Sequence, residues 1–261
     1  MAIYPGLVSK TFDHVKAEEV IKLVKDAGLI GIEWSGGNHL PAGDYSEAVR
    51  LSDLTKKAGL KVAAYGSYYR VGFDKLEEFT AFLETAKHLQ APTIRVWAGK
   101  RASSKADEKL WESIIRDSRS IASRAAEENI SVAFEYHAKT LTDTNETAYE
   151  LIRRIDHKNV FLYWQPLLPL SVNERVQGLK NILPWLKNIH VFNWTLSSDQ
   201  KQKIRHPLEY GVEEWSKYLE VAGSSPGNHY VLLEFVKDDA SDQFFTDAGV
   251  LKSMINTASI N

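Results

Sequence analysis

Apolar residues in this chain follow two rhythms, and the rhythms take turns. Short β-branched or apolar runs such as "TIRVWAG" and "SVAFEYHA" alternate with longer stretches whose apolar positions recur at helical spacing. The short runs predict strands near 4–9, 29–34, 60–66, 93–98, 131–137, 160–165, 189–194 and 230–236. Successive starts lie about 25 to 40 residues apart, the length of one βα unit with its loops. In "SSKADEKLWESIIRDSRSIASRAAEE", Ser or Asp supplies a cap. Trp111, Ile114, Ile115, Ser118, Ile121, Ala122 and Ala125 then share one helical face. "AEEVIKLVKDAG" and "SDLTKKAG" both stop at Gly, the residue a left-handed helix end favours. "DAGLIGIEW" and "KAGLKVAAYG" repeat the order helix, Gly, strand. Eight such units, with no linker or low-complexity break, predict an α/β protein: a single (β/α)₈ TIM barrel spanning residues 1–261. An open doubly wound sheet fits less well, because no Gly-rich phosphate loop follows the first strand.

Composition narrows the partners more than the fold. Apolar residues at 44% and charged residues at 25% are those of a globular chain. The formal charge of −2 is spread without a basic face, which argues against nucleic-acid binding. No apolar run approaches the length that spans a bilayer, and "MAIYPGLVSK" lacks the features of a signal peptide, so no membrane partner is expected. The absence of cysteine removes disulfides and thiolate metal sites and suits a cytoplasmic protein.

Barrel active sites lie at the C-terminal ends of the strands, so polar residues there carry the functional question. Glu135 and His137 close the fifth predicted strand on one face, since side chains alternate. Glu33 and Trp34 close the second, and Arg95 and Trp97 the fourth. The sixth ends in "VFLYWQP" with Gln165, the seventh holds His190 in "IHVFNW", and the eighth carries Glu234 in "YVLLEFV". Alternation forbids Glu33 and Trp34 from both facing the lumen, and likewise Trp164 and Gln165. Each polar residue alone has a plain structural reading: Glu33 paired to Arg95, His190 hydrogen-bonded in the core. Together they fit that reading poorly, because an unpaired buried carboxylate is strongly unfavourable. A divalent cation would satisfy Glu135 and Glu234 at once beside His190, with Gln165 between them. Such ligands suit Mn²⁺, Co²⁺, Mg²⁺ or Zn²⁺.

The order of Glu on strand five, a side chain on strand six, His on strand seven and Glu on strand eight resembles the xylose isomerase-like TIM barrels. Within them it is most similar to the sugar phosphate isomerase/epimerase type, with its ketose 3-epimerases, hydroxypyruvate isomerases and inosose dehydratases. The resemblance implies one catalytic divalent metal, Mn²⁺ foremost, held by Glu135, Gln165, His190 and Glu234. Strand six departs from the family pattern, with Gln165 where Asp is usual and Leu168 where the 3-epimerases carry a substrate-binding His. A neutral Gln leaves the loaded centre near zero charge, which implies weaker metal binding and a more electrophilic ion.

The resemblance further implies a carbohydrate isomerase or epimerase that moves a proton next to a carbonyl through an enediolate, with Glu135 and Glu234 as the catalytic pair. A dehydratase that expels a β-hydroxyl is the alternative on the same scaffold, as is a barrel that binds sugar without turnover. Substrate contacts are expected from Glu33, Trp97, His137 and Arg205, with Arg205 gripping a carboxylate or polar sugar end. His39 is expected on a lid, and Trp34, Trp97 and Trp194 as apolar faces for a ring. The acidic "VKDDASDQFF" after strand eight argues against a phosphate handle, favouring an unphosphorylated sugar, cyclitol or sugar acid. A three-zinc AP endonuclease site needs more His and Asp ligands than the strand ends supply. Relatives of the family often pair as dimers or tetramers, which leaves a homo-oligomer open.

Overall fold

The computed structural model describes residues 2–199 and 201–258. Its strands are β1 (Ala2–Val8), β2 (Gly31–Ser35), β3 (Lys61–Arg70), β4 (Thr93–Trp97), β5 (Ser131–Glu135), β6 (Val160–Trp164) and β7 (Leu186–Val191). A short antiparallel ribbon of β8 (Trp194–Leu196) and β9 (Lys203–Arg205) follows, then β10 (Asn228–Leu233). The helices are α1 (Ala17–Asp26), α2 (Tyr45–Lys57), α3 (Phe79–Leu89), α4 (Glu108–Glu127), α5 (Asn145–Ile155), α6 (Val172–Ile182), α7 (Val212–Ala222) and α8 (Ser241–Ala258). Eight strands close in the order β1-β10-β7-β6-β5-β4-β3-β2, every pairing between them parallel, so the expected TIM barrel is the observed one.

Alternation along each strand divides two environments. Val132 and Phe134 of β5 face the helices, in the large apolar layer that also takes Trp34, Trp164, Trp215 and Tyr218. Trp34 anchors there by donating from Nε1 to Thr55 Oγ1 at 3.1 Å. A second cluster of Val8, Ala63, Ala64, Ala133, Tyr163 and Leu232 fills the lumen, with Ala63 and Ala64 both included where the β2–β3 register shifts. Helix starts are fixed by side-chain caps: Asp44, Asp107 and Thr144 accept from backbone N–H groups three residues on, and Ser171 with Glu174 forms a reciprocal capping box.

Four C-terminal strand ends differ from the sequence expectation by two residues or more: the last barrel strand stops at Leu233 rather than 236, so that Glu234 follows it, and the other three have local reasons. The fifth strand stops at Glu135 rather than 137, because β6 supplies ladder partners only as far as Tyr163 opposite Glu135. The seventh spans Leu186–Val191, and Trp194 belongs to the ribbon instead of the barrel. The third runs on to Arg70 because its register against β4 slips between Gly66 and Arg70, a bulge that alternation does not reveal.

A buried Glu–His–Glu centre and its pocket

Five lumen-facing side chains meet at the C-terminal mouth of the barrel. Glu33 comes from β2, Arg95 from β4, Glu135 from β5, His190 from β7, and Glu234 directly follows β10. All five are buried, Glu33 and His190 with no exposed surface. Gly66 on β3 makes room for them: a Cβ there would lie 2.7 Å from both Arg95 Nη2 and Glu33 Oε1. Arg95 is the bridge. Its Nε donates to Glu33 Oε1 at 2.7 Å and its Nη1 donates to Glu135 Oε2. Trp97 Nε1 donates to the same Glu135 oxygen at 2.6 Å.

His190 uses its two nitrogens differently. Nε2 donates to Glu33 Oε2 at 3.4 Å. Nδ1 is buried without a hydrogen-bond partner and points to where two carboxylates converge, 3.5 Å from Glu135 Oε1 and 3.6 Å from Glu234 Oε2. One ligand atom from each of Glu135, His190 and Glu234 lies within 4.8 Å of the others. The donor set therefore fits a divalent ion, and a carboxylate behind the imidazole is the usual support for a metal-bound His. Charge points the same way. Three carboxylates (Glu33, Glu135, Glu234) against one guanidinium (Arg95) leave −2 once His190 gives up its proton to act as a ligand, the charge a divalent cation cancels.

The electrostatics separate the two carboxylates. Burial would raise Glu135, but Arg95 and then His190 hold it well below the ordinary range. Glu33 behaves alike: burial opposed by Arg95 and His190 leaves it lowered to about 2. Glu234 is raised, chiefly by burial, with Glu135 adding to the effect. For His190, burial is outweighed by Glu234 and Glu33, which lift it to about 10.

Above this centre opens a pocket of ≈ 440 Å³. Arg95, Trp97, Glu135, His137 and Glu234 line its floor and one wall; Lys10, Tyr68, Arg70 and Phe235 complete it. His137 stacks on Trp97 with ring centroids 4.5 Å apart and donates from Nδ1 to Ala138 O at 2.8 Å. That bond leaves its Nε2 as a lone-pair acceptor, and burial lowers the ring's basicity, favouring the neutral form. Arg70 lies over Trp97, 5.1 Å from guanidinium to ring, and forms no ion pair among the described residues. Lys10 Nζ sits 2.5 Å from Asp13 Oδ2.

Of the residues singled out in the sequence, Glu135, His190 and Glu234 come together, and Trp97 and His137 line the pocket. The others are placed elsewhere. Glu33 is sealed beneath the centre, paired to Arg95 and His190. His39 donates from Nε2 to Val15 O at 3.1 Å and packs edge-on against Trp34, lining a separate surface hollow with Asp13 and Arg50. Trp194 stacks on Phe192 in the ribbon, and Arg205 pairs with Asp239 at 2.7 Å, so neither reaches the pocket. Gln165 does not line it either: its Nε2 donates to Tyr136 O, while its Oε1 is buried without a partner. Lys10, Tyr68 and Arg70 were not anticipated, because Lys10 lies in a short 3-10 turn (Ser9–Phe12) after β1 and the other two at the β3 bulge.

A closed parallel barrel with a metal-capable Glu–His–Glu centre at its C-terminal mouth defines a class of metal-site TIM barrels. Residues 21–252 match the family model described as xylose isomerase-like TIM barrel. The chain belongs to the xylose isomerase-like TIM barrel family. It is 24% identical to a 3-dehydroshikimate dehydratase of Bacillus anthracis over 274 residues, 94% of this chain and 95% of that one. A crystal structure of the probable 3-DHS dehydratase AsbF from Bacillus anthracis superposes with a TM-score of 0.81 at 21% identity, covering 97% of this chain and 99% of the other. A xylose isomerase-like TIM barrel protein from Mycobacterium smegmatis, solved in complex with magnesium, gives 0.77 at 14% identity, covering 98% and 97%.

Proposed function

We propose that this chain is a divalent-metal-dependent dehydratase acting on a hydroxylated cyclic keto acid, 3-dehydroshikimate or a close analogue. The observation that carries the reading is the engagement of Glu135. Epimerisation requires two proton carriers on opposite faces of one carbon. Glu135 Oε2 is taken by Arg95 and Trp97, and its Oε1 faces His190, so it has no oxygen left to act as a base. Proton removal then falls to one group, and His137 qualifies: it is in the pocket, its Nε2 lone pair is unused, and burial favours the neutral ring.

Glu135, His190 and Glu234 would hold the ion, with the buried Gln165 Oε1 as a further candidate ligand. We take the ion to be Mn²⁺ or Mg²⁺. Once bound, it supplies Lewis-acid stabilisation of negative charge on a carbonyl oxygen. Trp97 lies in the pocket wall, and Arg70, which forms no ion pair among the described residues, is suited to a substrate carboxylate. His137 removes the proton next to the carbonyl, the β carbon–oxygen bond breaks, a double bond forms, and the hydroxyl leaves as water. The dehydratase relative supports the same assignment. A one-base aldose–ketose isomerisation would use the same groups, but leaves Arg70 without a task.

Mn²⁺-loaded protein incubated with 3-dehydroshikimate, and separately with D-fructose and D-psicose, tests the reading by NMR of the products. Loss of water from the keto acid with both ketoses unchanged is the expected result. Interconversion of the ketoses with the keto acid intact would overturn it.

A further inference from the structure

Two bulky residues on the pocket wall have a backbone conformation that bulky side chains rarely adopt. Tyr68 has φ +58° and Phe235 has φ +50°. Several of the other left-handed non-glycine residues, such as Gln90 and Asp156, simply end helices. Tyr68 lies inside a strand, at the β3 bulge, where the register against β4 jumps from Gly66–Arg95 to Arg70–Trp97. Such a conformation is unfavourable for a bulky side chain, and the surrounding structure must impose it. Its effect is to turn the phenol into the mouth of the barrel. The ring lies 5.2 Å from Trp97 and 5.3 Å from the Arg95 guanidinium, and the hydroxyl is 2.9 Å from Ser35 Oγ.

Resting on the dehydratase reading, we propose that Tyr68 is the general acid that protonates the departing hydroxyl. The loss of water needs two proton transfers, one from carbon and one to oxygen. His137 and Tyr68 both border the Trp97 ring, with centroids 4.5 and 5.2 Å from it, and all three line the one pocket, so the groups that take and give the protons open onto the same space. Ser35 Oγ accepts from Gly37 N–H at 3.3 Å; when its own hydroxyl donates to Tyr68, the phenol proton is left for the substrate. The balance closes. The C–H proton passes to His137, the electron pair forms the double bond, the C–O bond breaks, and its oxygen receives the Tyr68 proton and leaves as water. The resulting phenolate faces Arg95 and regains a proton through solvent from the imidazolium.

The test compares Mn²⁺-loaded wild type with Tyr68→Phe, which keeps the ring and its packing, on 3-dehydroshikimate in D₂O. Water loss and deuterium entry at the carbon next to the carbonyl are followed together. Loss of a general acid costs about 10²–10⁴-fold. Water loss in the variant is expected to fall at least 100-fold while deuterium exchange persists. An analogue carrying fluoride in place of the leaving hydroxyl, which departs without a proton, should be turned over by the variant within a few-fold of wild type. Unchanged water loss overturns the assignment, as does a parallel fall in exchange and in turnover of both substrates, since Tyr68 would then only shape the pocket. Failure of the dehydratase reading looks different: wild type itself neither exchanges nor eliminates.

Discussion

His190 shows how one residue can be both legible and incomplete in the sequence. An imidazole in "IHVFNW" can be marked as inward-facing from alternation alone, but not that Glu33 fixes its tautomer from behind while Nδ1 stays unpartnered. Glu135 and Glu234 stand out because each is a carboxylate at the end of an apolar run, the costliest kind of residue to bury unpaired. Glu33 has the same signature, yet it is a partner of Arg95, the plainer of its two readings in the sequence. Gln165 leaves a direct prediction. Its Oε1 is buried and partnerless while its Nε2 is spent on Tyr136 O. If Oε1 serves the ion, Gln165→Asp adds a negative charge to the ligand set. Mn²⁺ binding in calorimetric titration should then tighten roughly tenfold, ~1.4 kcal/mol. Equal affinity in variant and wild type would remove Gln165 from the ligand set.

At the scale of elements, the eight βα units were legible because short apolar runs alternate with stretches of helical period and the first two helices stop at Gly28 and Gly59. Two features were hidden. The ribbon of β8 and β9 consists of two three-residue strands, too short to produce a pattern, and it carries Arg205 outward to Asp239. The β3 bulge shifts register, so counting positions from "KVAAYG" misplaces Tyr68 and Arg70. Gly66 sits at the start of that bulge and is required by the neighbours its missing Cβ would strike. In Gly66→Ala the new methyl would stand 2.7 Å from Arg95 Nη2 and Glu33 Oε1, both held by a buried ion pair with no slack. Parting such a pair costs about 3–5 kcal/mol. Thermal unfolding should show Tm lowered by roughly 6 °C or more. A variant that melts with the wild type would mean that the Glu33–Arg95 pair can shift without penalty.

Across the whole molecule, the formal charge of −2 is unremarkable, but the barrel mouth gathers three carboxylates around one guanidinium and one imidazole inside a lumen. The metal-free chain bears this at Glu234, the carboxylate whose charge burial and the neighbouring Glu135 disfavour. A divalent ion binds only where the fold has assembled strands β5, β7 and β10, so its binding energy adds to stability. At a Mn²⁺ concentration of 100 times the dissociation constant the gain is about 2.7 kcal/mol. For a chain of this size that corresponds to a rise in Tm of roughly 5–10 °C. The control is a Glu135→Gln, Glu234→Gln double variant. It relieves the disfavoured charge of Glu234 but also breaks the buried Arg95–Glu135 pair, so its metal-free form should melt below the wild type, while added Mn²⁺ should leave its Tm unchanged. Should Mn²⁺ raise the melting temperature of both proteins equally, the ion binds elsewhere, and the Glu–His–Glu group is a polar network of the barrel core.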